Sequence, residues 1–340
     1  MPPPGVQSLL RWGAEEGLNE LFGSTAKSIS SEKRKDLRYY LFAVLFSYGI
    51  VKVIKTQFPF PDLWRFLQPF GDSSPMGLAW TFMGYSKPYT FFAGLMEIIP
   101  ALLLLFRKTT SLGALISVGV MTNVVVMNFS YDIPVKLFSI HIVLFSLFLL
   151  AFDGKRILNF LLFNKSVPAF DLKPVFTEKR HRYGALFFKV LFIGSIIIPN
   201  TVNSWSWYQQ LQNRPEIVPL YGIWEVEEFL ENGNPVSPHV TDDERWQYLI
   251  FEQPDRAVLI RTGLDRDHLN AQVDTTNQTI TLNRQDESTF FNYEKTDSVL
   301  VLTGERVDEA VEITLHAFDL ENFRLIDRGF NWINEFPYNR

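Results

Sequence analysis

The stretch YTFFAGLMEIIPALLLLF, residues 89–106, is apolar except for one ionisable side chain, Glu97. A helix needs about 20 predominantly apolar residues to cross the hydrocarbon core of a bilayer, so this stretch predicts a membrane-spanning helix. Ionisable groups are costly inside a membrane and are functional candidates by default. Glu97 is therefore the first candidate site residue.

Four other stretches share this apolar character and predict further spans. They are residues 39–53, 111–127, 135–152 and 183–199. Lysine and arginine concentrate before the first span, between the second and third, and between the fourth and fifth. Five crossings place all three clusters on one side, which the positive-inside rule makes the cytoplasm. We expect a bacterial inner-membrane protein with a cytoplasmic N-terminus and an exported C-terminal part, periplasmic or extracellular.

The composition excludes several classes of site and partner. The chain has 340 residues, no cysteine and a formal net charge of −5. Without cysteine there is no disulfide, no thiolate nucleophile and no cysteine-ligated zinc or iron–sulfur site. The mild acidity and the lack of a basic stripe argue against nucleic acid as a partner. No metal site is expected, since the histidines lack the spacing of metal ligands.

The sequence beyond residue 219 changes to short alternating runs separated by turn-forming residues, which predict strands. The runs are residues 246–252, 257–261, 269–273, 279–283, 289–293, 299–302, 311–315 and 323–326. A first strand opens at Gly222 and Trp224, and this Gly-x-Trp resembles the start of lipocalin-type barrels. In such barrels an arginine from the last strand packs over the tryptophan, and Arg328 is placed to do so here. Many short strands at this spacing are typical of an up-and-down antiparallel barrel or a sandwich, and the Gly-x-Trp favours the barrel.

The predicted fold is thus an all-α transmembrane bundle followed by a lipocalin-like antiparallel β-barrel. The expected parts are a cytoplasmic segment at 1–36, the bundle at 37–202, a linker at 203–218 and the exported barrel at 219–340. Gly222, Trp224 and Arg328 are expected to close the barrel structurally. The diameter of the barrel, and with it any ligand cavity, stays open.

Residues 37–153 resemble the DoxX family of small bacterial membrane proteins. The resemblance rests on YGIVK with Gly49 and Lys52, on GLMEIIPALLLLF with Glu97, and on SLGALISVGVMTNVVVMN after a basic turn. It implies a four-helix bundle. Some members of that family are the small membrane subunit of a thiosulfate:quinone oxidoreductase, and others are linked to thiol or oxidative stress. Because this chain has no cysteine, any sulfur chemistry would need a partner oxidoreductase, a substrate thiol or a quinone.

The segment NFSYDIPVKLFSIH, residues 128–141, places several polar groups between the third and fourth spans. Asp132 is suited to cap the fourth helix, and Lys136 follows it at the spacing of a local ion pair. We expect these groups to converge with Glu97 on one pocket near the outer face of the membrane. The polar residues of the segment are Asn128, Tyr131, Asp132, Lys136 and His141.

Two interpretations of this pocket compete. In the functional one Glu97 and His141 handle protons, Lys136 favours an anionic substrate, and Asn128, Tyr131 and Asp132 bind substrate, with a quinone as the candidate cofactor. In the structural one the same residues cap a helix and form a buried hydrogen-bond network.

The leading functional hypothesis is a redox-linked membrane subunit embedded in the lipid bilayer. The alternative is a non-enzymatic, membrane-anchored protein whose barrel holds a lipophilic or peptide ligand. A small-solute transporter is disfavoured, because no inverted repeat or paired broken helices are evident. Whether the protein is an enzyme, which substrate it takes and how many copies assemble are left open.

Overall fold

The computed structural model describes residues 31–167, 178–237, 245–284, 287–306, 309–329 and 331–333. Most of the predicted N-terminal segment, 1–30, lies outside these residues. The chain divides into a helical unit, Met1–Pro59 with Ser74–Tyr208, and a barrel unit, Phe60–Ser73 with Gln209–Arg340. The barrel unit thus begins at Gln209, ten residues before the predicted boundary at 219, and it also contains a segment from between the first two predicted spans.

The described residues form ten α-helices and two short 3₁₀ turns. Local signals start several of these helices: the Ser74 and Ser86 hydroxyls accept from backbone N–H groups at the starts of two helices that also carry proline in their first turn. The helices are α1 Ser31–Val53, α2 Leu63–Leu67, α3 Pro75–Tyr85, α4 Lys87–Leu104, α5 Thr110–Ser130, α6 Lys136–Ala151, α7 Gly154–Leu161, α8 Lys179–Gln212, α9 Arg214–Ile217 and α10 Arg324–Asp327. The predicted linker at 203–218 is helical over most of its length, because α8 continues to Gln212.

Among the described residues, α4, α5 and α8 are long and apolar enough to cross a membrane. The pair α6 and α7 passes the same criterion together, with an 81° bend between the two helices. The first predicted span lies in α1, which does not pass, since charged residues bracket its apolar stretch. These charged residues are Asp36, Arg38 and Lys52.

Helices α1 and α4 pack with their backbones in close contact at two glycines. A Cβ added at Gly94 would lie 2.7 Å from the Gly49 carbonyl oxygen and 2.7 Å from the Val53 nitrogen. A Cβ at Gly49 would lie 2.6 Å from Ile98 Cγ1. The two small residues let the helices approach closely, as in small-xxx-small packing. The core around them includes the fully buried Leu41, Phe42, Leu45, Ala101 and Leu104.

Gly94→Ala is expected to destabilise the helical unit by about 1–3 kcal/mol, the usual cost of overpacking. The added methyl meets backbone atoms, which cannot rotate away. Gly119→Ala on α5 is the matched control, because a Cβ there has no neighbour within 4 Å. The control should be neutral or stabilising by up to about 1 kcal/mol, owing to the better helix propensity of alanine. Thermal unfolding of the purified protein, followed by circular dichroism, compares the two, and equal melting temperatures would contradict the packing described here.

Helices α5 and α6 are joined by buried side-chain hydrogen bonds at two levels. The Ser117 and Ser146 hydroxyls lie 2.8 Å apart, and Asn128 Nδ2 donates to Ser139 Oγ at 2.9 Å. At the far end of α6, Arg34 and Ser111 both donate to the Asp153 carboxylate. These contacts fix which face of α6 points into the bundle.

The strands form one closed antiparallel barrel of eight long strands, with a two-residue strand added at its edge. The strands are β1 Gly222–Glu231, β2 Asn234–Pro235, β3 Trp246–Gln253, β4 Arg256–Arg261, β5 Arg266–Asp274, β6 Thr279–Arg284, β7 Glu287–Thr296, β8 Val299–Arg306 and β9 Glu309–Ala317. Neighbours in sequence pair from β3 to β9, β1 pairs with β3, and pairing of β1 with β9 closes the barrel. The predicted antiparallel barrel is confirmed.

Alternate residues of the strands point inward and fill the barrel. Trp224 and Val226 of β1, for example, are buried in one cluster with Ile313 and Leu315 of β9. That cluster contains side chains from each of the eight long strands. The described interior is thus a packed apolar core.

Two predictions about the end of the chain are wrong. Residues 323–326, predicted as a strand, lie largely in the short helix α10, Arg324–Asp327. Arg328 therefore follows that helix and is not on the last strand, β9. From the strands, Lys295 of β7 lies over the Trp224 ring, with its Nζ 5.8 Å from the ring centroid. Trp224 Nε1 donates to the Leu220 carbonyl at 2.8 Å.

The segment Phe60–Ser73 covers the outer face of the barrel at β1, β3 and β4. Leu63 is buried there against Ile223, Ile250, Val258 and Ile260. Its backbone N–H donates to Glu252 Oε2 at 2.9 Å. Strand β4 is buried on both faces because this segment lies on its outer side.

Candidate functional site

The helical unit contains a partly open cavity of about 330 Å³. Its walls are mainly aromatic and aliphatic and come from α1, α3, α4, α5 and α6. Large side chains on its wall include Phe58, Trp80, Tyr89, Phe92, Met96 and Phe138. A concave apolar pocket with a few convergent polar groups is the usual form of a small-molecule site.

A buried ion pair lies on the wall of this cavity. Lys52 Nζ of α1 lies 2.9 Å from Glu97 Oε2 of α4, and the side chains are only 9% and 3% exposed. Lys52 Nζ also donates to the Tyr48 carbonyl at 3.3 Å. Because α1 and α4 run antiparallel, Lys52 and Glu97 lie one turn to either side of the contact of Gly49 with Gly94. The close approach of the two backbones lets the Lys52 side chain, which reaches back to the Tyr48 carbonyl, meet the Glu97 carboxylate.

Two amides add polar atoms to the cavity wall. Gln57 Oε1 is buried and has no hydrogen-bond partner in the described part of the chain. Asn128 is 4% exposed and donates to Ser139, so its amide is held in place. A buried acceptor without a donor is costly, which indicates a position where a ligand can donate a hydrogen bond.

The predicted site residues separate into two groups. Glu97 and Asn128 line the cavity. The other four, Tyr131, Asp132, Lys136 and His141, do not line it. The single pocket expected from the sequence therefore contains two of the six predicted residues, and Lys52 takes the cationic position that was expected for Lys136.

Local geometry explains the excluded residues. Lys136 pairs with Asp132 at the surface, as its spacing predicted, and the hydrogen bond from Lys136 lowers the pKa of Asp132 below its usual value. Asp132 does not cap α6, because it adopts a left-handed conformation with φ 51° and the helix begins only at Lys136. His141 is exposed, and its Nδ1 lies 2.6 Å from the Leu137 carbonyl oxygen of its own helix.

The sequence contains a signal for the inward face of α6. The buried residues Ser139, Ile142, Ser146 and Leu149 recur at three- and four-residue intervals. His141 lies two positions after Ser139 and thus about 200° around the helix, on the opposite face. The helical spacing of the small polar residues Ser139 and Ser146 could have shown, from the sequence alone, that His141 is not on the face of α6 that points into the bundle.

The comparisons with known proteins give one relative. The chain is 31% identical over 146 residues to the uncharacterized protein YwoB of Bacillus subtilis (strain 168), a match that covers 87% of that protein and 40% of this chain. The chain belongs to the YwoB family. No family profile and no solved structure matches the chain. Membership in the YwoB family relates the chain to a bacterial protein. Because that relative is uncharacterized, the chemistry of this chain is inferred from the geometry of its site.

The site can bind a small ring with polar groups on its rim. Lys52 donates hydrogen bonds, while Glu97 and the unpartnered Gln57 oxygen accept them. The aromatic walls suit a flat, mostly apolar body. A carboxylate at such a site is also placed to accept a proton from a bound hydroxyl.

Proposed function

We propose that this protein is a multi-pass membrane protein of the bacterial inner membrane. Support comes from the helical unit, where large apolar side chains are exposed in numbers that water would not tolerate. Examples on α4 and α8 are Phe91, Phe92, Phe187, Phe188 and Ile198, each at least 46% exposed. Counting α1 as a fifth crossing, the basic clusters at the ends of the helices support a cytoplasmic N-terminus and an exported barrel unit.

We further propose that the helical unit binds a quinone or quinol and serves as the membrane subunit of a redox system. The buried pair of Lys52 and Glu97 on the wall of an aromatic cavity carries this proposal. Buried ion pairs contribute little net stability and are replaced by apolar residues without loss in several proteins, so a functional reason for this pair is favoured. The DoxX-like pattern of the sequence agrees with it.

The residues present fit such a ligand. Lys52 would donate to a ring carbonyl oxygen, and within the described residues two of its three N–H groups are engaged, by Glu97 and the Tyr48 carbonyl. Glu97 and Gln57 would accept from a ring hydroxyl, which supplies the donor that Gln57 Oε1 lacks. A quinone takes up two electrons and two protons, and the electrons would come from a partner oxidoreductase.

In this arrangement the chain orients the ring and manages its protons. Glu97 is the group placed to exchange a proton with the ring oxygen, and Lys52 holds its side chain in position. It would give a proton to that oxygen as the quinone is reduced by the partner, and take one from the hydroxyl as the quinol is oxidised and its electrons pass back to the partner. Phe58 and Trp80 on the wall exclude water from the ring. The cavity of about 330 Å³ is at the lower end of ligand sites and fits a ring with its first substituents better than a long chain.

The test is the quinone content of the full chain purified from a bacterial membrane, measured by solvent extraction and mass spectrometry. Wild type should retain quinone, while Glu97→Gln and Lys52→Gln should retain at least about 10-fold less, since each loses a charge-assisted hydrogen bond worth about 1.5–3 kcal/mol. His141→Ala is the control, because His141 lies outside the cavity, and its quinone content should equal that of wild type. Equal quinone in wild type and Glu97→Gln would refute the proposal.

The packed interior of the barrel argues against the alternative of a barrel that holds a lipophilic or peptide ligand. Its described interior is filled by the apolar core that includes Trp224, Phe229 and Phe291. Those side chains occupy the space that a lipophilic ligand would need.

A further inference from the structure

A second, larger recess opens on the helical unit at the opposite end of α4 from Ser86. It has a volume of about 1300 Å³ and lies between the start of α1, the turn from α4 to α5, and the first half of α8. Nothing in the proposed quinone site uses it. Both its charge and its walls are unlike those of the cavity at Glu97.

The charged residues that line this recess are mostly basic. Five of them are cationic and one, Asp36, is acidic. The cationic residues are Lys35, Arg38, Arg107, Lys108 and Lys189. Like charges held this close repel one another, so an anion bound among them would be stabilised.

Two of the cations are fixed by the end of α4. Arg38 donates twice to the Leu104 carbonyl, at 3.0 and 2.8 Å, and is 7% exposed. Lys189 donates to the Leu105 carbonyl at 2.7 Å. These two side chains satisfy the unpaired carbonyls and the negative end of the helix dipole. Lys35, Arg107 and Lys108 are exposed at the rim, where an anion from outside would meet them.

The remaining walls of the recess are apolar and lead away from the charges. They are formed by Tyr39, Tyr40, Phe106, Leu186, Phe188 and Phe192. A free phosphate would leave these walls uncovered and would occupy a small part of the volume. A ligand with an anionic head and hydrocarbon chains covers both parts.

We propose that this recess binds the phosphate headgroup of an anionic membrane phospholipid. The rim cations contact the phosphate, and the upper acyl chains lie along Phe188 and Phe192 of α8. Basic pockets between helices on the cytoplasmic side suit anionic headgroups, and the basic clusters place this recess on that side. The inference relies on the membrane location proposed above but not on quinone binding.

The test measures lipid binding to the full chain in detergent by native mass spectrometry. The probes are phosphatidylglycerol and phosphatidylcholine. Wild type should prefer phosphatidylglycerol. The triple variant Lys35→Gln, Arg107→Gln, Lys108→Gln should lose affinity for it by on the order of 100-fold, at about a fivefold loss for each rim cation. Lys155→Gln, Arg180→Gln, Arg182→Gln is the matched control, since it removes three exposed cations that do not line the recess and should bind as wild type does.

Three results would overturn the proposal: equal binding of both lipids, equal loss in both triple variants, or displacement of the lipid by millimolar inorganic phosphate. The second would indicate general surface charge, and the third a free anion as the ligand. Quinone content measured on the same samples separates the two proposals, because the rim variant should retain quinone. Arg38 and Lys189 stay unchanged in the variants, so the helix end that they stabilise is preserved.

Discussion

Replacing Lys52 alone with methionine is expected to destabilise the helical unit by about 3–5 kcal/mol. The change leaves the Glu97 carboxylate buried at 3% side-chain exposure without its cation. An unpaired buried charge loses its hydration with nothing in return. The loss should appear as a lower unfolding midpoint of the purified protein in detergent.

The double variant Lys52→Met, Glu97→Leu should recover most of that loss. With both charges gone, apolar groups of similar size fill the site, and such replacements are often neutral. The coupling energy from the double-mutant cycle isolates the pair from its neighbours. A double variant as unstable as the sum of the single variants would show that the two side chains do not interact.

Protection of the segment Phe60–Ser73 against hydrogen exchange is expected to fall as the pH rises from about 5 to 9. Leu63 N–H donates to Glu252, whose side chain is 11% exposed. Burial, together with the negative charge of Asp62, raises the pKa of Glu252 to about 8, although Arg214 lies 3.6 Å away and opposes the shift. The partly buried Tyr221 also faces the group.

The sign follows from proton counting. A folded-state pKa above the unfolded one means that the folded state binds more protons between the two values, so stability falls as the pH rises through that window. For Glu252 the window runs from about 4.5 to about 8. A shift of this size corresponds to at most about 5 kcal/mol, and Arg214 and solvent relaxation should reduce the observed loss to about 1–3 kcal/mol.

Glu252→Gln should remove this pH dependence and make the variant more stable than wild type at pH 9. The amide oxygen still accepts from Leu63, while no buried charge forms. Glu294→Gln, on an exposed position of β7, controls for the loss of one negative charge and should follow wild type. Exchange rates are corrected for the intrinsic effect of pH, and β6 serves as the internal reference. A pH profile that is the same for Glu252→Gln and wild type would contradict this account.

The sequence predicted which segments form helices and strands better than it predicted which faces of those elements are buried. Alternation in the tail determined the barrel, since seven of the eight predicted runs coincide with strands. The run at residues 323–326 was wrongly predicted as a strand. Four residues form a strand only when they pair with a neighbouring strand, and these residues lie largely in a helical turn instead. Strand pairing depends on neighbours that a local pattern does not specify.

The candidate site shows the same limit. Glu97 could be identified from the sequence because it is the one charged residue in the apolar stretch 89–106. Lys52 was not among the predicted site residues, since nothing local indicates which helix it faces. His141 was assigned the right helix but the wrong face.

The segment Phe60–Ser73 is synthesised long before the barrel strands that it covers. Leu63 and Glu252 are 189 residues apart in the chain. At a synthesis rate of about 5–20 residues per second, the segment waits on the order of 10–40 s before its partner strand exists. During that interval Trp64 and Leu67 have no strand to pack against, so a chaperone that shields them would act in this window. A barrel expressed from residue 219 onward would lack its outer cover, and a fragment that supplies residues 60–73 in trans should improve its solubility.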